Sequence, residues 1–344
     1  MIAYFPSFYP DELLYSRLAR FYQKSGLMAY SYAARELFEN PLDRPDFEFI
    51  NRYAPAAIAL LTRDMSMEEI VTGHTLFPYF ARFLPKERRE RAFLAFMDMR
   101  KDYHNHIAYP KFKNGMQRSA RYCPMCVKED RQRYGETYWH RQHQIIGVDI
   151  CPLHGCGLVD TDLSISSKMT PSLITAEEAA GGEVDPVICT DLTEMRLARY
   201  VASVFAAPMD MSSDVDVSAF LHNRMAGTPY LSVRGRKRDM AALHRDFRAY
   251  YETLQGNWFT EEWQIQKLLN GQRMNMFEVC LLALFLGVPA AELTKMTLPA
   301  VSLHRAYDER IFALHRQGLN YREIAAVIGG GYDTVKAIGE GRYT

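Results

Sequence analysis

The sequence predicts a mainly α, multi-domain protein in which short helical domains surround a compact metal-binding module and end in a helix-turn-helix. Three observations predict it. Apolar residues recur at spacings of three and four, while strand-like alternation is nearly absent from the first hundred residues. Two short knuckles, CPMC (Cys123, Cys126) and CPLH (Cys151, His154), stand twenty-four residues apart. The last forty residues carry YREIAAVIGGGYDTVKAIGE, two helical patterns joined by a glycine turn.

From the N-terminus, Pro10, Asp11 and Glu12 read as the first turn of a helix whose apolar face runs Leu14, Leu18, Phe21. Helices are expected over 30–38, over 55–62 with Pro55 in the first turn, and over 66–71, where Ser66 and Glu69 form a capping-box pattern. An aromatic knot (His74, Phe77, Pro78, Tyr79, Phe80) precedes a cationic helix start at Lys86, Arg88, Arg89 and Arg91. Positive charge sits at the wrong end of a helix dipole there, a small cost that an anionic partner would offset. Arg82, Lys86, Arg88 and Arg89 are therefore candidate phosphate contacts, against the alternative of a solvated turn neutralised by Glu87 and Glu90. The pattern loosens over 103–121. The tripeptide HNH at 104–106 lacks the context a nuclease would need.

The knuckle stretch is read as a zinc-finger module. Three thiolates and one imidazole fill a tetrahedral shell with no open position, which makes Zn²⁺ structural, at one site, and argues against an enzyme. Cys156 is either an alternative fourth ligand or a small buried thiol. His140 and His143 are expected on the polar face of a helix beside Trp139, itself assigned to the core. Lys128, Arg131, Arg133 and Arg141 are candidate backbone contacts to DNA.

Residues 159–183, rich in Ser, Thr, Asp and Gly, read as a loop leaving the module. A helix follows over 191–205, and another amphipathic one after the cluster Arg234, Arg236, Lys237, Arg238, which fits either a backbone-binding patch or a solvated helix start. Further helices fit 261–269 and 274–286, the latter apolar all round and so buried. In the C-terminal pair, Ala325 permits a close helix crossing and Gly329 supplies the positive φ of the turn. Val335 and Ile338 pack back on Ile324 and Ile328, with Ile311 and Leu314 as a third wall. The base-reading face would be Tyr332, Asp333, Thr334 and Lys336. The expected division is a helical domain at 1–118, the zinc module at 119–160, a helical domain with an acidic linker at 161–300 and the helix-turn-helix at 301–344.

The chain has 344 residues and zero formal net charge, but its charges are segregated. Fifteen Lys/Arg face seven Asp/Glu between Arg82 and Arg141, whereas three face eleven between Gly157 and Phe220. The basic part overlaps the knuckles, so nucleic acid is the first partner to consider. The start MIAYFPSFYPDELL lacks the features of a signal peptide, and the longest apolar run, near 279–291, is broken by Gly287 and Pro289. Knuckled rather than framework cysteines suit a reducing compartment. A cytoplasmic protein with no membrane partner is expected.

Two blocks, HTLFPYFARFLPKERR and RYCPMCVKEDRQRYGETYWHRQH followed by CPLHG, resemble the TniQ/TnsD family of bacterial transposon target-selection proteins. The resemblance covers roughly residues 5–158. It implies a nucleoid-associated subunit that reads double-stranded DNA, marks an insertion site and recruits a TnsC-like AAA+ ATPase, with Cys123, Cys126, Cys151 and His154 as zinc ligands. Some members of the family dock instead on an RNA-guided CRISPR effector complex, with little DNA reading of their own.

Overall fold

The computed structural model describes residues 5–100, 102–107, 118–165, 172–212, 216–232, 237–254, 258–272, 275–296 and 303–341. Among these the chain is mainly helical: seventeen α-helices, two 3₁₀ turns and one two-stranded antiparallel ribbon. Its contacts divide it into two compact units, Met1–Asp214 with Asn275–Phe277, and Val215–Met274 with Glu278–Thr344.

In the first unit the N-terminal helix spans Leu14–Lys24, four residues later than the Pro10 start expected. Glu12 is the reason. Its carboxylate is wholly enclosed and accepts from the Tyr9 amide, the Ser16 hydroxyl and Arg20, so residues 10–12 form a turn with Asp11 at φ +54° instead of a first helical turn. The next helices, Tyr30–Leu37, Pro55–Leu61 and Met67–His74, lie where the apolar spacing puts them, the last capped reciprocally by Ser66 and Glu69. Phe77–Ala81 and Lys86–Met97 follow, and Phe49, Phe77, Phe96 and Tyr103 pack edge to face in the core between them.

Residues 159–183 are not simply a loop. Val159–Ser164 pairs with Ser119–Tyr122 in the ribbon, with Arg121 opposite Asp160, and Ala176–Ala180 is a helix capped by Thr175 and Glu178. The chain entering the first helix also lies on the knuckle module. The Leu13 amide donates to the Trp139 carbonyl and the Arg141 amide to the Asp11 carbonyl, while Trp139, fully buried, donates its indole N–H to the Ile174 carbonyl. Trp139 is thus core, as expected. Leu192–Ala206, capped by the Asp191 side chain, completes the unit's larger helices.

The second unit holds the helices Val217–Arg224, Met240–Tyr250, Glu262–Leu269 and Ala290–Lys295 and, from Glu278 on, the apolar helix Met276–Phe285, whose Val279, Cys280, Leu281 and Leu282 are all enclosed and whose Phe285 packs against Phe247 and Tyr250. The C-terminal helices Leu303–Arg316, Tyr321–Ile328 and Tyr332–Gly339 share one core of Ile311, Leu314, Ile324, Ala325, Ile328, Val335 and Ile338. Asn320 caps the second of them, and Gly329 ends it at φ +68°. A contact invisible in the sequence adds to this: the Tyr321 ring lies where a Cβ on Gly339 would stand, so glycine there lets the two helices close.

Candidate metal centre and cationic surfaces

Cys123 follows the ribbon strand Ser119–Tyr122 and is the N-cap of the helix Pro124–Tyr134. Its sulfur accepts from the Cys126 amide at 3.4 Å, and Pro124 fills the first helical position, where no amide donor is needed. The CPMC knuckle is therefore a helix N-terminus, whose amides and dipole favour thiolate charge. The helix stops at Gly135, left-handed at φ +78°. The second knuckle is a tight turn. The Gly155 amide bonds to the Cys151 carbonyl and the Cys151 amide to the Cys156 carbonyl, both at 2.8 Å, with Gly155 at φ +67°.

These two turns bring Cys123, Cys126, Cys151 and His154 together, all four donor atoms within 4.8 Å of one another. His154 Nδ1 stands 3.4, 3.3 and 3.7 Å from the sulfurs of Cys123, Cys126 and Cys151, and Cys126 lies 3.8 Å from Cys151. A tetrahedron with metal–sulfur bonds of about 2.3 Å has edges of about 3.8 Å, so the spacing fits a metal ion. The three sulfurs are buried, whereas His154 is at the edge, its Nε2 held by Glu129 at 3.0 Å. That carboxylate is a usual outer partner of a metal-bound imidazole. The close approach of the thiols couples their ionisation. Contact with Cys123 pushes the Cys126 thiol far above its ordinary range, while contacts with Cys123 and Cys126 pull Cys151 below it.

Two neighbours adjoin the cluster, one of them, Cys156, weighed in the sequence as an alternative ligand or a small buried thiol. Cys156, fully buried, places its sulfur 3.2 Å from Cys123 but does not share the close four-donor set. His143 is not on a polar helix face: it is buried in a 3₁₀ turn, its Nε2 3.5 Å from Cys126 and 3.7 Å from Cys151. Its Nδ1 is buried without a hydrogen-bond partner, and burial holds the ring's pKa below the ordinary histidine value. A neutral ring with its proton on Nε2 would donate to both sulfurs. His140 is not on a helix face either: it pairs with Glu12 in an isolated bridge and bonds to Asp130 at 2.8 Å.

The sequence-predicted cations fare differently. Arg82, Arg89 and Arg141 are interior residues. Arg82 donates to the Ala207 and Pro208 carbonyls, Arg89 to those of Leu84 and Met211, and Arg141 to Asp11 and the Thr72 carbonyl beneath Phe205. A guanidinium so enclosed presents nothing to a phosphate, and the reading of these three as DNA contacts is corrected accordingly. Arg131 is engaged by Glu177 and the Gly181 carbonyl, and Arg238 by His222, Asn270 and the Leu269 carbonyl. Arg88, Lys128, Arg133 and Lys237 are exposed and Lys86 is half-buried, while Arg234 and Arg236 lie outside the described residues. On the last helix Tyr332 and Asp333 are exposed and Thr334 and Lys336 half-buried. Tyr332 is flanked by Lys336 at 5.8 Å and by Arg322 at 5.6 Å from its ring centre. Arg322 was missed, because it belongs to the preceding helix and only the crossing brings it there.

Residues 3–158 match the TniQ family model. Over 234 residues the chain is 26% identical to the transposon Tn7 transposition protein TnsD of Escherichia coli. That similarity covers 64% of this chain and 44% of the relative, so the chain matches less than half of TnsD's length.

Proposed function

We propose, on the premise that this chain is a TniQ-family protein through residues 3–158, that it selects the insertion site of a Tn7-like transposon. The family match carries the reading, and the four-donor cluster near its C-terminal limit supports it. Cys123, Cys126, Cys151 and His154 would hold one Zn²⁺, which, with every position filled, supplies folding energy rather than chemistry. The four-part division at residues 118, 160 and 300 remains part of this reading.

The three C-terminal helices are the proposed helix-turn-helix. Tyr332, Asp333, Thr334 and Lys336 would meet base edges, with Arg322 beside them on the phosphates. Lys86, Arg88, Lys128, Arg133 and Lys237 would add sequence-independent grip on double-stranded DNA. The marked site would then be passed to a TnsC-like AAA+ ATPase.

Footprinting on genomic fragments with and without that ATPase tests the reading. Site-specific protection by the protein alone, weakening steeply with salt, is expected. Changing Lys336 to alanine should lower the slope of log affinity against log salt by roughly 0.9, one phosphate contact's worth, or abolish site preference if it reads a base. No preference among duplexes, with protection only beside an RNA-guided CRISPR complex, would establish the adaptor reading instead.

A further inference from the structure

The exposed apolar residues of this protein are not scattered evenly. Of the thirteen large hydrophobic side chains exposed among the described residues, five are Leu153, Val184, Val187, Ile188 and Leu192. Leu153, 69% exposed, is at the tip of the second knuckle. The extended segment carrying the next three is fastened to that knuckle: the Gly157 amide donates to the Val187 carbonyl, the Cys189 amide to the Gly155 carbonyl, and Ile188 bridges Cys156. Leu192, 71% exposed, opens the following helix, and three residues on, the Met195 sulfur lies against Gly155. Backbone contacts to the second knuckle thus bring Val187 and Ile188, and the start of the helix opened by Leu192, close to Leu153.

The surroundings are acidic. Between Leu158 and Arg196 the sequence has eight carboxylates and one lysine. Glu183, Asp185 and Asp160 are exposed there, and Asp149, at the knuckle's base, is paired with Arg121. Such a rim repels phosphate, so this face does not suit nucleic acid. Exposed apolar surface within an acidic rim is complementary to a cationic, amphipathic polypeptide. The knuckle's backbone bonds hold the segment in place beforehand, which lowers the ordering cost of binding.

We propose that the surface formed by Leu153, Val187, Ile188 and Leu192, with Glu183 and Asp185 at its rim, docks a protein partner through a cationic amphipathic segment. The proposal deepens the recruiting role given above and rests on that reading only for the choice of its first probe. That probe is the purified AAA+ ATPase of the same transposon, and the second is a synthetic amphipathic helix of leucine and lysine. Binding of each to the full chain is measured for wild type, for Leu153→Ser with Ile188→Ser, and for Glu183→Lys with Asp185→Lys. Unchanged melting temperature and DNA affinity serve as controls.

Both pairs should weaken binding at least about tenfold, and the charge pair should remove most of its salt dependence. If the ATPase fails to bind wild type while the peptide binds and both pairs weaken it, the recruiting role falls and the docking surface stands. If whatever binds wild type binds the variants equally well, or if neither probe binds, the proposal is overturned. It is overturned equally if light scattering finds a dimer that Leu153→Ser with Ile188→Ser takes apart, since the occupant is then a second copy.

Discussion

Replacing Glu12 with alanine should destabilise the first unit more than any ordinary surface change. Glu12 and Arg20 are 0% and 3% exposed and meet at 2.8 Å. Arg20 also donates to Glu136 at 3.0 Å and lies 3.7 Å from the centre of the Tyr9 ring. Burial raises the Glu12 pKa, opposed by Arg20 and by the hydrogen bonds from the Tyr9 amide and the Ser16 hydroxyl. Alanine would leave the Tyr9 amide, the Ser16 hydroxyl and one face of Arg20 without an acceptor. Breaking a buried pair from one side costs about 3–5 kcal/mol. In a unit of roughly 200 residues each kcal/mol lowers the midpoint by about 2–4 °C, giving a fall of about 6–20 °C. The assay is urea unfolding of Glu12→Ala, Arg20→Met and the double variant Glu12→Ala with Arg20→Met. Removing both charges should cost less than the single changes added together, a coupling of about 1–3 kcal/mol. A loss under about 1 kcal/mol for Glu12→Ala, or simple additivity, would refute the argument.

Two further outcomes follow from buried imidazoles. His74 stacks on Phe8 and donates Nδ1–H to the Glu12 carbonyl, and burial lowers its pKa from 6.5 to about 4. Its neutral ring therefore contributes stability that is complete above pH 6.5 and is lost as pH falls towards 4, amounting to about 2 kcal/mol between pH 7 and pH 5. Unfolding free energies of His74→Gln should lack that difference, and an equal pH dependence in the variant would count against it. At the metal centre, His143→Phe keeps the bulk but removes the donor facing Cys126 and Cys151. Zinc release to a colorimetric chelator should quicken at least about tenfold and be partly restored in His143→Gln. Equal release rates in all three proteins would reduce His143 to packing.

The close Cys/His cluster was legible because its two short knuckles have the local spacing of metal ligands, a pattern ordinary packing does not impose. Capping was legible for a similar reason: Ser66 with Glu69 and Gly329 are short-range rules satisfied within one turn. What escaped depends on distant partners. The strand Val159–Ser164 has too few apolar residues to announce itself and exists through pairing with Ser119–Tyr122. The start of the first helix moved because Glu12 answers Arg20 and, through it, Glu136, more than a hundred residues away. Charge counting misled at Arg82, Arg89 and Arg141, since composition does not distinguish a guanidinium facing water from one that fills an interior and bonds carbonyls. His143 looked dispensable because four ligands already complete a shell, and a sequence does not disclose which side chains lie just outside it.

The lacing of the N-terminal segment onto Trp139 and Arg141 bears on how the protein can be dissected. A peptide cut at 119–160 would keep all four metal donors yet lose Leu13 and Asp11 from its backbone ladder and Ile174 from its indole. Such a fragment should take up zinc but leave its largest aromatic side chain wet and invite aggregation. Fusions or affinity tags that intrude on residues 5–12 should disturb the knuckle module although they lie more than a hundred residues before it.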